Sequence, residues 1–433
     1  MAIKDRQLTR MGPWPRGVNN LADEQRLPRD DKGIAPVALR EADNIDLDAA
    51  GVPKRRRGHQ AVVAGTLVHS LWGHDLLPFG LYVDDGTLHS FGPDESVQSL
   101  GTAVGHLPLS YELIGQFVYY CNTIASGLLT PAMESRAWSA EHPAGQPGLE
   151  LVSGLGLDPG QYQLAITFVD DLGRESGSTL AAVIEVPAGH GIRAVNIPQP
   201  LDAATALINV YLTDANDQVL RRHTSLPAAG ITDLNIGSKA TGKVLDTQFL
   251  QPMPAGQITR LFNGRQLVAR GNELLWSEPL RYGMFDPARG RMRFAGPIDV
   301  VAPIDRAGVM VAAGNRTYWL GGADPDNWAL DIAYAAGGVP GSHLSVPGTA
   351  FGGADTSPKA VWLARDGQIV VGAAGSVQPM KLGEAAIDNA DRAAPLFRAE
   401  GGMQQLVMGL RAPQRQSLAV TDTAIAHVIY AQP

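Results

Sequence analysis

The chain has 433 residues and 43 acidic against 35 basic side chains, a formal net charge of −8 that excludes a globally basic nucleic-acid-binding surface. Only 18% of residues are charged, while Gly numbers 49 and Pro 30, a turn-rich composition unlike that of disordered or coiled-coil chains. The length allows two or three domains or one large repeat array, and the single cysteine, Cys121, excludes an intrachain disulfide.

Residues 1–57 read as an arm with a possible ring-closing strand. Met1-Ala2-Ile3-Lys4-Asp5-Arg6 lacks the apolar core of a signal peptide. No apolar run in the chain approaches the roughly 20 residues needed to span a bilayer. Met11-Gly12-Pro13-Trp14-Pro15-Arg16-Gly17 predicts an extended or looped segment around Trp14. The alternation in Asn44-Ile45-Asp46-Leu47-Asp48 suits a half-buried strand, a candidate to close a ring. Lys54-Arg55-Arg56-Arg57 follows, either a solvated charged edge or intersubunit salt-bridge site, or a contact for nucleic acid or an acidic partner surface, with Asp43, Asp46 and Asp48 near enough in sequence to neutralise it.

Residues 58–143 predict two units of small strands. The first holds 61–64, 67–72, 81–83 and 87–91, and four strands make one propeller blade. The second holds 109–114, 116–120 and 125–129, closed by Trp138. Cys121 ends an apolar run, Phe117-Val118-Tyr119-Tyr120, and is expected in a buried strand rather than as a nucleophile.

Residues 144–255 change character. A long alternating strand at 159–171 turns at Leu172-Gly173-Arg174-Glu175-Ser176-Gly177 and returns at 180–186. Further strands at 192–197, 206–213, 219–223 and 231–236 predict a sandwich. Tyr162 to Ser176 resembles fibronectin type III and related bacterial modules, in which a strand ends in a Gly-Arg-Glu-Ser-like turn. Its place between blade-like units makes it an insertion.

The array resumes over 256–433, where its repeat is clearest. Leu267-Val268-Ala269, a Gly271-Asn272 turn and Glu273-Leu274-Leu275-Trp276 form one hairpin. Val309-Met310-Val311-Ala312-Ala313, Gly314-Asn315 and Arg316-Thr317-Tyr318-Trp319 repeat it about 43 residues later, near the 40–50 residues of a propeller blade. Diverged copies lie at 80–91 and 366–377. The expected fold is all-β: a β-propeller-like array of five or six blades, with an inserted fibronectin type III-like sandwich and an extended N-terminal arm.

No catalytic constellation emerges. His69 and His74 flank a turn without a further ligand partner. Neither a Gly-x-Ser-x-Gly elbow nor a P-loop is present. Asp84-Asp85-Gly86-Thr87 matches part of a sialidase Asp-box, without the Ser before it or the Trp after, and is expected to be a hairpin turn. Asp324-x-Asp326-Asn327 lacks the later Glu and Gly of an EF-hand. No catalytic, cofactor or metal residue is therefore expected. The candidate partner contacts are Trp14, Arg55, Arg56 and Arg57.

Gly17-Val18-Asn19-Asn20, 42–48 leading to Arg56-Arg57-Gly58, and Asn263-Gly264-Arg265 through Trp276-Ser277-Glu278 with the aromatic loop Tyr282-Gly283-Met284-Phe285-Asp286, taken in this order, resemble the β-propeller tail hub or nozzle proteins of short-tailed phages. The resemblance implies a non-enzymatic virion protein, assembled in the host cytoplasm as a homo-oligomer, expected to be a hexamer. It would sit below the head-to-tail adaptor ring beside tail fibres or spikes, without membrane insertion, and conduct double-stranded DNA without sequence-specific binding. A net negative chain suits a lumen through which a polyanion slides. The rival readings are a glycan-binding or receptor-binding propeller of the tail, and a glycan-processing propeller enzyme with its site in the propeller mouth.

Overall fold

The computed structural model describes residues 13–33, 35–41, 45–47, 52–55, 64–351, 356–380, 385–387, 390–400, 403–411 and 427–430. Among them the chain is all-β, with three short 3-10 turns and no α-helix. Six small antiparallel sheets, here A to F, follow one another along the chain. The chain divides into two compact units: Gly65–Arg270 with Leu274–Met292, and Met1–Ala64 with Gly271–Glu273 and Arg293–Pro433.

The unit built on Gly65–Arg270 holds sheets A, B and most of C. Sheet A is the meander His69–Gly73, Gly80–Asp84, Thr87–Phe91 and Val97–Ala103. The expected strand at 61–64 falls almost wholly outside the described residues, and Val97–Ala103 supplies the fourth strand. Sheet B is Ser110–Ile114, Phe117–Cys121, Ser126–Leu129 and Ser135–Arg136. Sheet C is Ile258–Phe262, Arg265–Arg270, Glu273–Trp276 and Arg291–Arg293. Because side chains alternate across a strand, B packs on both faces. Val118 and Tyr120 join Leu81, Val83 and Leu88 of A, while Tyr119 and Cys121 join Val268 and Leu275 of C. Cys121 is buried in its strand as expected, and burial pushes its thiol up to about 12.

Between B and C lies the sandwich. Its three-stranded sheet is Gly148–Ser153, His190–Val195 and Leu234–Ile236. Its four-stranded sheet runs in the order Ala182–Val186, Gly160–Asp170, Thr205–Leu212, Arg221–Pro227. Tyr162, Leu164, Ile166, Phe168, Ile208 and Val210 of one sheet meet Ile192, Ala194 and Ile236 of the other in a single core. The sandwich clusters with sheets A to C and not as a separate unit.

In the other unit, sheet D is Ile298–Ile304, Gly308–Ala313, Arg316–Gly321 and Ala329–Tyr334. Sheet E is Leu344–Val346, Lys359–Leu363, Ile369–Ala373 and Ser376–Pro379. Sheet F is Arg392–Glu400, Met403–Arg411 and His427–Tyr430. Sheet E again has two buried faces. Ala360, Trp362 and Val370 face Ala302, Met310, Ala312 and Trp319 of D, and Val361, Leu363 and Ile369 face Ala393, Leu406, Met408 and Leu410 of F. Gly314 takes φ +58° at its hairpin turn and Gly271 takes +60°, while the Asn after each does not. A left-handed first turn residue followed by an ordinary second one is the II′ pattern, which matches the twist of the flanking strands.

The arm folds more than the sequence suggests. The Trp14 carbonyl accepts from the Gly17 N–H, the Arg16 N–H reaches the Val37 carbonyl, and Val18 bridges Leu39. Asn20 grips Ala386 at two points, its amide donating to the carbonyl (2.8 Å) and its side-chain oxygen accepting from the N–H (3.0 Å). Ile45–Leu47, the candidate ring-closing strand, pairs antiparallel with Pro53–Arg55 in a two-stranded hairpin. Pairing with so near a neighbour closes a short loop at little entropic cost.

Candidate functional site

Each predicted contact residue has a distinct setting. Trp14 is half-buried within the folded 13–41 segment. Arg55 is exposed at the end of the Pro53–Arg55 strand. Arg56 and Arg57 lie outside the described residues. Asp46 stands opposite Lys54 in the hairpin register, and Arg55 stands opposite Ile45.

The best-organised polar site lies where the first strands of sheets B and C meet, within one compact unit. Both strands are at the edge of their sheets, so their outward N–H groups need partners. Alternate side chains of Ser110–Ile114 supply them. Ser110 Oγ accepts from the Thr259 N–H (3.1 Å), and the Glu112 carboxylate accepts from the Leu261 N–H. The period-2 spacing of 110 and 112 puts both side chains on one face, matched to 259 and 261. Arg260 completes the seam. Its Nη1 donates to the Thr259 carbonyl (2.7 Å) and to Ser110 Oγ (3.2 Å) and lies 3.9 Å from Glu112 Oε2. Burial raises the Glu112 carboxyl above its ordinary value despite Arg260. Behind the seam, the buried Gln266 donates to Thr259 Oγ1 (3.1 Å) and accepts from the Gly283 N–H (2.7 Å). Sequence reasoning missed this pairing, because nothing local connects residues 112 and 260. A related tie joins sheets D and E, where Arg365 Nη2 lies 2.8 Å from Asp299 Oδ2 and burial raises the Asp299 carboxyl.

The Gly-Arg-Glu-Ser turn of the sandwich assigns a structural task to each polar residue. Asp170 accepts from the N–H groups of Leu172 and Arg174 and from Arg174 Nε (2.7 Å). Glu175 Oε1 accepts from Thr167 Oγ1 (2.6 Å), Asn209 Nδ2 (2.8 Å) and the Tyr211 hydroxyl (2.6 Å). Ser176 Oγ accepts from the Phe168 N–H (2.9 Å). The turn therefore pins the long central strand rather than presenting a reactive group.

The other sequence candidates also have structural employment. His69 Nδ1 contacts Ser70 Oγ (2.8 Å), and His74 Nδ1 accepts from the Leu76 N–H (3.2 Å). Asp84 caps the N–H groups of Thr66 and Leu67, and Asp324 caps the 3-10 turn Pro325–Asn327. Among the described residues no group of three or more His, Cys, Asp or Glu side chains is arranged to hold a metal ion. No described helix is long and apolar enough to cross a membrane. At the base of the sandwich, Ser135, Arg136, Ala137, Asp171, Asp202, Ala203 and Ala204 line an open polar cleft of about 330 Å³.

No protein-family model matches the chain, and no curated protein matches it. Among solved structures it is similar to the N-terminal domain of Nup159 at 8% identity, covering 79% of this chain and 73% of that one with a TM-score of 0.31. It is also similar to a eukaryotic initiation factor (10% identity, 87% and 90% covered, TM-score 0.28). A third is the WD40 domain of SCAP from fission yeast (10%, 86% and 98%, TM-score 0.19).

Proposed function

We propose that the chain is a structural protein of a phage tail, in which sheets A to F are six blades of one β-propeller and the sandwich is an inserted fibronectin type III-like domain. Six such chains would form a hub or nozzle below the head-to-tail adaptor and conduct DNA. The observation that carries this reading is the order of elements: a folded arm, two small sheets, a sandwich, and four further small sheets. The motifs on which the resemblance to tail hub proteins rests lie in the arm, in the segment before sheet A, and in sheet C with the loop between its last two strands. The two triples of sheets, each with a middle sheet buried on both faces, support blade-like stacking. The polar sites support a scaffold, since their donors and acceptors are consumed in holding strands together. A chain with a net charge of −8 offers DNA little overall attraction, as a conduit requires.

Electron microscopy and light scattering of the purified protein, alone and with its adaptor ring, test the proposal. A closed ring of about six subunits is expected, and a strictly monomeric mass under both conditions refutes it.

One observation favours a second reading, a receptor-binding tail component. The open cleft at the sandwich base combines a guanidinium with two carboxylates, groups able to bind sugar hydroxyls. Binding on a glycan panel that is lost in Arg136→Ala would favour it.

A further inference from the structure

Sheet F carries two arginines in an unusual relation. Arg392 and Arg411 are direct cross-strand partners in the hairpin Arg392–Glu400/Met403–Arg411. Opposed residues leave a sheet on the same face with Cβ atoms about 4.5–5.5 Å apart, and like charges so placed repel. Their neighbours Ala393 and Leu410 point the other way, into the core shared with sheet E. None of the ion pairs among the described residues involves either arginine, and the Asp391 N–H donates to the Arg411 carbonyl.

Two features distinguish this pair from chance surface charges. Arg392 is half-buried and held at its base. The Ala393 N–H donates to the Pro340 carbonyl, and the Gly341 turn abuts the Arg392 stem, whose Cγ lies 3.7 Å from where a Cβ on Gly341 would sit. Beside the pair on the same face stand Ala394 and Gly409, again directly opposite each other. Among the described residues a Cβ built on Gly409 would meet only the Ala394 carbonyl oxygen, at 3.7 Å, so no described side chain covers the floor next to the guanidiniums. Burial, then the charge of Arg411, lower the Arg392 pKa, as expected of a cation without its counter-ion.

We propose that Arg392 and Arg411 form an oxyanion site for a phosphate group, seated over the Ala394–Gly409 floor. Two guanidinium forks side by side present more charge than one carboxylate neutralises. A phosphate carries close to two negative charges as a free ion or monoester, and its oxygens match both forks. The group is either free phosphate or part of a nucleic-acid backbone. The site stands independently of the virion assignment.

Thermal unfolding of the full chain in low-salt buffer, with inorganic phosphate against chloride at matched ionic strength, tests the site. Phosphate in large excess is expected to raise the melting temperature by on the order of a few degrees beyond chloride. Arg392→Gln and Arg411→Gln should each abolish that rise, and Arg411→Lys should keep part of it. Without phosphate, Arg411→Gln should melt no lower than the parent, because a repulsion has been removed. Titration of a short DNA duplex by fluorescence anisotropy separates the two sources. Weaker DNA binding in the double Gln variant, with a salt slope shallower by about two, assigns a nucleic-acid backbone; unchanged DNA binding assigns free phosphate. A rise matched by chloride, a rise retained in both Gln variants, or an Arg411→Gln chain melting well below the parent overturns the site.

Discussion

Replacing Glu175 by Ala isolates the polar centre of the sandwich. One carboxylate oxygen accepts from Thr167, Asn209 and Tyr211, and these three residues are respectively 0%, 2% and 0% exposed. Truncation leaves three buried donors facing an apolar methyl. Each unmet buried donor costs about 1–3 kcal/mol, and because Glu175 is itself only half-buried, water relieves part of that. The expected loss is about 3–5 kcal/mol. Glu175→Gln keeps an acceptor oxygen but loses its charge, so about 1–2 kcal/mol should go. Hydrogen exchange read at Gly160–Asp170 and Thr205–Leu212 is the appropriate assay, because it reports the sandwich apart from the other sheets. At tenfold per 1.4 kcal/mol, Ala should speed exchange there by roughly a hundredfold to a few thousandfold and Gln by about tenfold. Exchange in the Ala variant within threefold of the parent, or an equal effect of Gln and Ala, would refute the reasoning.

Four other outcomes are expected. Trp362→Ala empties the core between sheets D and E and should cost about 3–5 kcal/mol in urea unfolding, with the sandwich strands unaffected in exchange. Glu112 has a raised folded pKa, so the native state binds more protons than the unfolded one above about pH 4.5 and stability declines as pH rises from there. Glu112→Gln should flatten that decline in a pH series of melting temperatures. Burial lowers the folded pKa of His223, so the unfolded state binds more protons below about pH 6.5 and stability falls with pH through the folded value; His223→Gln should remove that acid-side slope. Replacing 144–250 with a short flexible linker should leave the protection of Phe117–Cys121 and Arg265–Arg270 in place, and collapse of those strands would show that the sandwich is not a separable insertion.

Most of the strands that sequence reading found are buried on at least one face, although His69–Gly73 is not. Lys359–Leu363 and Gly308–Ala313 are nearly continuous apolar runs, and the structure buries almost every residue in them. The outer strands escaped for the converse reason. Val97–Ala103 and Ala329–Tyr334 are largely exposed; the first carries no clean apolar period and Gly101 interrupts it with φ +65°, while the second alternates Leu330, Ile332 and Tyr334 yet leaves Leu330 and Ile332 exposed. Gly148–Ser153 hid behind the Gly and Pro residues that mark its approach as a linker. The Gly-Arg-Glu-Ser turn was legible because its chemistry is local. The partners of Glu175 on a neighbouring strand were not, and neither was the seam of Ser110, Glu112, Thr259 and Arg260, since only the fold brings those residues together.

That seam bears on how a sandwich can sit between two sheets without parting them. The entropy of closing a loop grows only slowly with its length, so the roughly one hundred residues between B and C cost their junction only a modest amount more than a short loop would, provided both ends are fixed. They are. The Trp138 indole N–H, just after the last strand of B, donates to the Met253 carbonyl just before the first strand of C (3.0 Å). The Met253 N–H donates to the Gly283 carbonyl (2.8 Å), and a Cβ on Gly283 would fall 2.2 Å from the Trp138 carbonyl oxygen, so only glycine allows this approach. Beneath the clasp, Ser110 and Glu112 occupy N–H groups that would otherwise leave an open edge. The contacts between B and C are thus specified by residues outside the sandwich. The sandwich core shares none of these residues.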